Sequence, residues 1–451
     1  EKIPGGLFGL SGQTKDDLIK RFLNRKAGVG NAPESALDQA AMRARASAKG
    51  IPEAFYRFDR FPGYEKLLVP QAAARRLGIE NPFFKVHDGV AGATSQIGGR
   101  PYINFSSYNY LALNGHPRVN KAARDAIDRW GTSASASRLV SGERAVQRDL
   151  EAALAEYHDV EECIAFVSGH ATNITSIGYL FGPKDLVIHD ALIHNSILQG
   201  IQLSGAQRRS FPHNDWHSLD QLLTEIRGRY ERVLIAVEGL YSMDGDFPDL
   251  PRFVEIKTRH KAFLMVDEAH SLGVLGQHGG GIREHFNLRG RDVDIWMGTL
   301  SKSLASSGGY IAGERALVEH LKYAAPGFLY SVGIAPPVAA AALEALRILN
   351  AEPERVARLQ ARGKLFLELA RKRGINVGTS AGYAVIPAII KNSLKAAKYS
   401  NALFQRGINV QPITYPAVEE GAARLRFFLS SGHTDGQIEA AVAALAEVAG
   451  R

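Results

Sequence analysis

Between Cys163 and Lys302 the chain repeats one pattern: a short continuous apolar run, a helical segment, then another run. The runs are "CIAFVS" (163–168), "DLVIHD" (185–190), "RVLIAVEG" (232–239), "AFLMVDEA" (262–269) and "VDIWMGTLSK" (293–302). Segments such as "HSLDQLLTEIRGRY" (217–230) lie between them with helical spacing. Runs that are apolar at every position, rather than at alternate ones, belong to strands buried on both faces. That predicts a mainly parallel α/β sheet covered by helices. After about residue 335 the pattern changes. "PPVAAAALEALRILN" and "PERVARLQARGKLFLELARKRG" read as long helices, and "YAVIPAII" and "RLRFFLS" as strands. The expected layout is an N-terminal arm over 1–100, a large domain over 101–334 and a smaller α+β domain over 335–451.

The arm differs from the body. "GQTKDDLIKRFLNRK" reads as a short amphipathic helix, with Leu18, Ile19, Phe22 and Leu23 on one face and Thr14 and Asp17 as a capping box. "KAGVGNAPESALD" reads as a loop, and "FYRFDRFPGYEKLL" is aromatic and basic without a clear period. The first 90 residues hold 15 Lys and Arg against 10 Asp and Glu, a surplus of 5 within the chain's net +8. This is either a solvated basic surface or a patch that meets an acidic partner, such as nucleic acid or an acidic carrier protein. The single cysteine, Cys163, excludes a disulfide framework and a cysteine-built zinc site. No metal site is expected. No run approaches the roughly 20 apolar residues of a membrane helix, and no secretory signal opens the sequence. A cytoplasmic location is expected. The chain opens on Glu1 rather than Met, which fits either a trimmed chain or a domain cut from a longer polypeptide.

Asp267-Glu268-Ala269-His270 spells a helicase box. That box requires an upstream phosphate loop, G-x-x-x-x-G-K-[ST], and none exists. The nearest candidate, "GTLSKS" (298–303), lies downstream and lacks the second glycine. No nucleic-acid partner is expected from this motif. A different chemistry suits the residues better. In open α/β sheets, ligands sit at the carboxyl ends of the strands, and His189, Ser242, Asp267 and Lys302 all fall at or just past such ends. Asp267 closes a buried strand, and a buried carboxylate is costly without a partner such as a protonated pyridine nitrogen. Lys302 follows 35 residues later, just past the next strand. A lysine in apolar surroundings loses its proton readily and can form a Schiff base. An aspartate and a Schiff-base lysine in this arrangement point to pyridoxal phosphate.

From about residue 102 onward the chain resembles the α-oxoamine synthases, which are fold-type I pyridoxal phosphate enzymes. The resemblance rests on "NFSSYNYLAL", "SGHATN", "VEGLYSMDGDFPDL", "VDEAHSLGVLG", "GTLSKS" and "RLRFFLS", in order and at similar spacing. It implies a mainly parallel seven-stranded sheet flanked by helices, with a smaller C-terminal α+β domain. It implies that Lys302 binds the cofactor and acts as base, that Asp267 pairs with the ring nitrogen, and that His270 bonds the ring oxygen. His194, in "DALIHNS", matches the histidine that stacks on the ring, and Ser242 matches a serine near the ring oxygen and the lysine. His189 reads as structural. Ser168, Gly169, His170 and Asn173, at the start of an expected helix, match the phosphate and cofactor site, because free helix N–H groups favour an anion. His170 stands where the family has an aromatic. Thr299 matches a phosphate-binding hydroxyl. Ser331, in "FLYSVG", matches one supplied by the second subunit, although Val332 departs from the usual hydroxyl pair. Arg424 matches the arginine that grips the amino-acid carboxylate, with Arg426 as the alternative. Asn109 is expected to contact substrate.

The implied activity is a decarboxylative condensation of an amino acid with an acyl thioester, giving an α-aminoketone and carbon dioxide. The implied assembly is a homodimer. Rival readings are an aminotransferase of the same fold and an inactive scaffold domain of a large synthase. "LSGQTKDDLIKRFLNR" is similar to the connectors of polyketide-synthase-type assemblies, so the acyl donor is expected to ride on an acyl carrier protein or on coenzyme A.

Overall fold

The computed structural model describes residues 50–76 and 78–450. The expected helix and loop within residues 12–38 lie outside the described residues. The chain divides into two compact units, Glu1–Gly78 and Ile79–Arg451.

In the first unit, two short turns at Glu53–Phe55 and Phe58–Arg60 precede a helix, α1, over Pro62–Arg76. The sequence showed no period here. The helix forms because Pro62 presets its first turn and the Gln71–Arg76 stretch is rich in strong helix formers. Arg57 bridges Glu53 and Asp59 at 3.4 and 2.7 Å.

The second unit is built on three sheets. A small sheet has the order β1 (His87–Asp88), β2 (Thr94–Ile97), β3 (Arg100–Asn104) and, from far downstream, β12 (Ile408–Asn409). The central sheet contains β4 (Glu162–Phe166), β5 (Leu186–Asp190), β6 (Gln207–Phe211), β7 (Val233–Glu238), β8 (Phe263–Asp267), β9 (Ile295–Thr299) and β10 (Gly309–Gly313). Its order is β4-β10-β9-β8-β7-β5-β6, and β10 alone runs against its neighbours. The third sheet is β11 (Val385–Ile389), β14 (Arg424–Phe428) and β13 (Gln411–Ile413), all antiparallel.

Helices α2 (Pro117–Trp130) and α3 (Ala145–His158) precede the central sheet, and α4 (Gly169–Leu180), α5 (Asn195–Ser204), α6 (Trp216–Ile226) and α7 (Leu250–His260) connect its strands. Four more follow: α8 (Arg315–Ala324), α9 (Pro336–Ala351), α10 (Glu354–Lys372) and α11 (Ser393–Gln405). The last, α12, spans Asp435–Ala449. Successive residues of one strand enter different cores. Leu186, Ile188, Ile235 and Val266 face one apolar cluster, while Val187, Leu234, Ala236 and Met265 face another. The sheet is therefore buried on both faces, as its unbroken apolar runs require.

Two strands of the central sheet escape the sequence reading, as do β1, β2, β3, β12 and β13 outside it. β6 lies at the sheet edge, is largely exposed and is polar ("QRRSF"), so it carries no apolar run. β10 is bounded by Gly309 and Gly313, which weaken its strand signal. Among the described residues no helix is long and apolar enough to cross a membrane, and no group of three or more His, Cys, Asp or Glu side chains could hold a metal ion.

Candidate active site

Parallel strands β5, β7, β8 and β9 end on the same side of the sheet, and the chemistry gathers there. Asp267 is the last residue of β8 and is 5% exposed. Its Oδ1 accepts from the Ala269 N–H and its Oδ2 from Asn173 Nδ2, both at 2.9 Å. Lys302 follows β9. Among the described residues no carboxylate lies within ion-pair distance of its Nζ, which sits 5.5 Å from the Tyr108 ring centroid. Burial lowers its pKa to about 8, against the opposing pull of Asp267 and Glu238 and with help from Arg426. An amine so placed has an appreciable neutral, nucleophilic fraction near neutral pH.

Two histidines flank this pair. His270 is buried, and its Nδ1 lies 2.7 Å from the Tyr110 hydroxyl. Burial, then Lys302, Arg426 and His194, push its pKa well below the ordinary value. His194 caps the start of α5. The residue keeps solvent access, yet the protein around its ring lowers its pKa; Asp267 opposes that shift, and Lys302, His170 and Arg426 add to it. His170 stands edge-to-face with His194 at 6.3 Å between centroids and meets Gln199 at 3.1 Å.

The phosphate-binding candidates cluster at the start of α4. The Ser168 hydroxyl caps the helix by accepting from the Ala171 N–H. A Cβ on Gly169 would meet Thr299 Oγ1 at 2.9 Å, so only glycine permits this approach of helix to strand end. Thr299 donates to the Gly308 carbonyl at 2.9 Å and accepts from the Ser301 N–H at 3.3 Å.

The turn after β7 joins the central sheet to β14. The Ser242 carbonyl accepts from Arg426 Nη1 at 2.9 Å, and Ser242 itself is buried. Arg424 Nη1 is bound by Asp244 Oδ1 at 2.6 Å and by the Met243 carbonyl at 3.0 Å, and its Nε donates to Ala422. Arg426 has no carboxylate partner among the described residues. Its Nε is buried without a hydrogen-bond partner, and its guanidinium lies 4.6 Å from the Phe428 ring. Of the two arginines, Arg426 is therefore the free cation facing Lys302 and both histidines, and Arg424 is committed to Asp244.

Two other expected residues stand differently. The Asn109 amide bonds the Ala91 carbonyl and the Asn114 N–H, at 3.0 and 3.1 Å, which ties loops together. Ser331 makes none of the contacts above; its backbone N–H reaches Phe328 at 3.4 Å. His189 bonds the Asp190 carbonyl at 2.7 Å within the sheet edge of the site.

Sequence reasoning missed Glu238, Tyr110 and Ser196. Glu238 ends β7 in register with Asp267, and its Oε1 is buried without a partner. Burial, then the neighbouring Asp267, push its pKa well above the ordinary carboxylate value, which favours the protonated form. Tyr110 lies inside "YNYLAL", and Ser196 stands two residues after His194. Their spacing within recognised blocks was the available signal.

Residues 100–445 match the family model of aminotransferase class I and II. The 8-amino-7-oxononanoate synthase of Treponema denticola is 40% identical over 355 residues, covering 79% of this chain and 89% of that protein. The solved serine palmitoyltransferase of Sphingomonas wittichii superposes with a TM-score of 0.82 at 29% identity, covering 86% of this chain and 97% of that one. The chain belongs to the α-oxoamine synthases. A further solved serine palmitoyltransferase, at TM-score 0.81 and 28% identity, is described with bound pyridoxal phosphate. This α-oxoamine synthase has the acyltransferase fold and the pyridoxal phosphate dependence of its family. Its residues fit that cofactor. A partly deprotonated lysine, a buried carboxylate with an N–H donor on each oxygen, and a glycine-cradled helix start stand at one end of one sheet.

Proposed function

We propose that the chain condenses an amino acid with an acyl thioester, with loss of carbon dioxide, and that Arg426 rather than Arg424 holds the amino-acid carboxylate. The observation that carries this reading is Lys302, an amine with its pKa lowered to about 8, set against the buried carboxylate of Asp267 at the strand ends. When bound, pyridoxal phosphate supplies an electron sink for the pair left at the amino-acid Cα.

The remaining work falls to side chains. Lys302 takes the Cα proton, because a lysine with a lowered pKa can act as a general base near neutral pH. Asp267 would hold a cationic ring nitrogen, and Asn173 and the Ala269 N–H keep the carboxylate oriented. Glu238, pushed toward its protonated form by burial, would add no second negative charge beside it. His270, fixed by Tyr110, would bond the ring oxygen. His194 would cover the ring face. Ser168, Gly169, His170 and Thr299 would receive the phosphate at the α4 N-terminus. Arg426 offers a half-buried guanidinium with a buried, unused Nε, the kind of donor that grips a carboxylate bidentately.

A homodimer completes the site, with Ser331 offered across the interface. Exposed Tyr330 and Val332 on either side of it, and exposed Leu139 and Val140, support a covered apolar surface there. The acyl donor is carried by an acyl carrier protein or by coenzyme A, and no nucleic acid takes part.

The test is product mass spectrometry with a panel of amino acids against acyl thioesters of coenzyme A and of carrier protein. Carbon dioxide release with an α-aminoketone is expected. A keto acid formed without carbon dioxide would replace this reading with transamination.

A further inference from the structure

We infer that Ser196 and Asn173 form a one-way hydrogen-bond relay from Asp267 that holds His194 as the neutral tautomer protonated on Nε2. Ser196 is thus a positioning residue that acts through His194.

The direction follows from which groups can only donate or only accept. Asp267 Oδ2 accepts from Asn173 Nδ2 at 2.9 Å. The amide cannot turn over, since its carbonyl oxygen would then face a carboxylate. It keeps this orientation even though Asn173 Oδ1 is left buried without a partner. The second hydrogen of Nδ2 goes to Ser196 Oγ, also at 2.9 Å. Ser196 Oγ accepts there, so its single hydrogen is free to go onward to His194 Nδ1 at 2.7 Å. The Ser196 backbone N–H points at the same nitrogen at 3.2 Å and can only donate. Two donors converge on Nδ1, which must present its lone pair. The proton of neutral His194 then lies on Nε2.

Asn173 and Ser196 are each 1% exposed, so water does not compete for these bonds. A second proton on His194 would have to enter at Nδ1 and expel both donors. The charged or titratable groups around the ring are Asp267 on β8, Lys302 after β9, His170 on α4 and Arg426 on β14. Asp267 favours the imidazolium, and the other three oppose it. The relay works with those three, and it also gives Asp267 a second task as the anchor that polarises the chain.

The inference shares its site with the proposed reaction, but its test does not require turnover. Enzyme loaded with pyridoxal phosphate and labelled with ¹⁵N-histidine is examined by long-range ¹H–¹⁵N correlation, with a His194→Gln variant to identify the signal. Expected is a bare Nδ1 and a protonated Nε2, persisting below pH 6.5, the ordinary histidine midpoint. In Ser196→Ala the midpoint should rise by about 0.5–1 unit, the worth of one hydrogen bond to the neutral form. Ser196→Thr, which keeps a hydroxyl, should return it toward the wild-type value. A protonated Nδ1 in the wild-type enzyme overturns the inference even if no variant folds. So does a Ser196→Ala midpoint equal to wild type. Loss of turnover with the tautomer intact would count against the proposed reaction and leave the relay standing.

Discussion

Arg424 and Asp244 form a buried ion pair, Nη1 to Oδ1 at 2.6 Å, while Arg426, two residues along the same strand, has no acidic partner among the described residues. Successive residues of a strand point to opposite faces, so these two, separated by a single residue, share one face and part company through their partners. Arg424 clasps the turn after β7, and Arg426 reaches the site. Arg426→Gln should therefore raise the amino-acid KM by about 10- to 100-fold, the worth of a charge-assisted contact. Arg424→Gln should instead lower stability by about 1–3 kcal/mol, since it leaves the half-buried Asp244 without its charge partner. Steady-state kinetics and thermal unfolding on both variants decide between them. An increased KM confined to the Arg424 variant would restore the sequence expectation.

Lys302→Ala should abolish the visible absorbance of bound cofactor and lower turnover by about 10²–10⁴-fold for loss of the base alone. The wild-type amine, with its pKa near 8, should capture the cofactor faster as pH rises from 6 to 9, because only the neutral amine attacks an aldehyde. Absorbance after mixing cofactor-free protein with pyridoxal phosphate measures both. A variant that retains the band and its reduction by borohydride would remove Lys302 from this role.

His213 links β5 to the turn after β7, through Asp190 Oδ1 at 2.9 Å and Asp246 Oδ2 at 3.1 Å. Asp246 in turn accepts from Thr379 at 2.6 Å. Despite partial burial, which lowers it, the two carboxylates raise the imidazole pKa to about 10. A pKa raised on folding stabilises the native state fully below the unfolded value of 6.5, and that stability is lost as pH climbs through about 10. Urea unfolding at stepped pH should show a decline between these limits that His213→Gln removes. An identical decline in the variant would show that other groups cause it.

The central sheet was legible because β5, β7 and β8 are apolar at successive positions up to their polar carboxyl ends, a pattern that burial on both faces explains. The gathering of Lys302 and Asp267 at the strand ends was legible for a related reason: a charged residue at the end of such a run needs a chemical partner. The different pairing of Arg424 and Arg426 was not legible, because it depends on Asp244, some 180 residues away in sequence, and pairing at that range leaves no local trace. Glu238 was hidden similarly. The upward push on its pKa comes from burial and then from Asp267, which sequence spacing does not reveal.

Glu238→Gln should be nearly silent. A protonated carboxyl and a carboxamide are close in shape and equally uncharged, so kcat/KM and its pH dependence should stay within a few-fold of wild type. Glu238→Ala should cost more, because it empties a fully buried volume beside Asp267. A large loss in the Gln variant, with cofactor still bound, would mean that Glu238 ionises during the reaction and serves as an acid or base.

The acyl donor leaves its own signature in salt dependence. The surplus of 5 positive charges in the first 90 residues includes Lys20, Arg21, Arg25 and Lys26, which lie outside the described residues and outside the matched family region. An acidic carrier protein approaching such an arm is steered, which raises the encounter rate more than it deepens affinity. The steering is screened beyond about 10 Å at 0.1 M salt. kcat/KM should therefore be higher with acyl carrier protein than with the matching acyl-coenzyme A. The advantage should shrink as salt rises, and also when those four residues are changed to Glu. Equal rates with both donors, unmoved by salt and by charge reversal, would make coenzyme A the donor and leave the basic arm without a part in delivery.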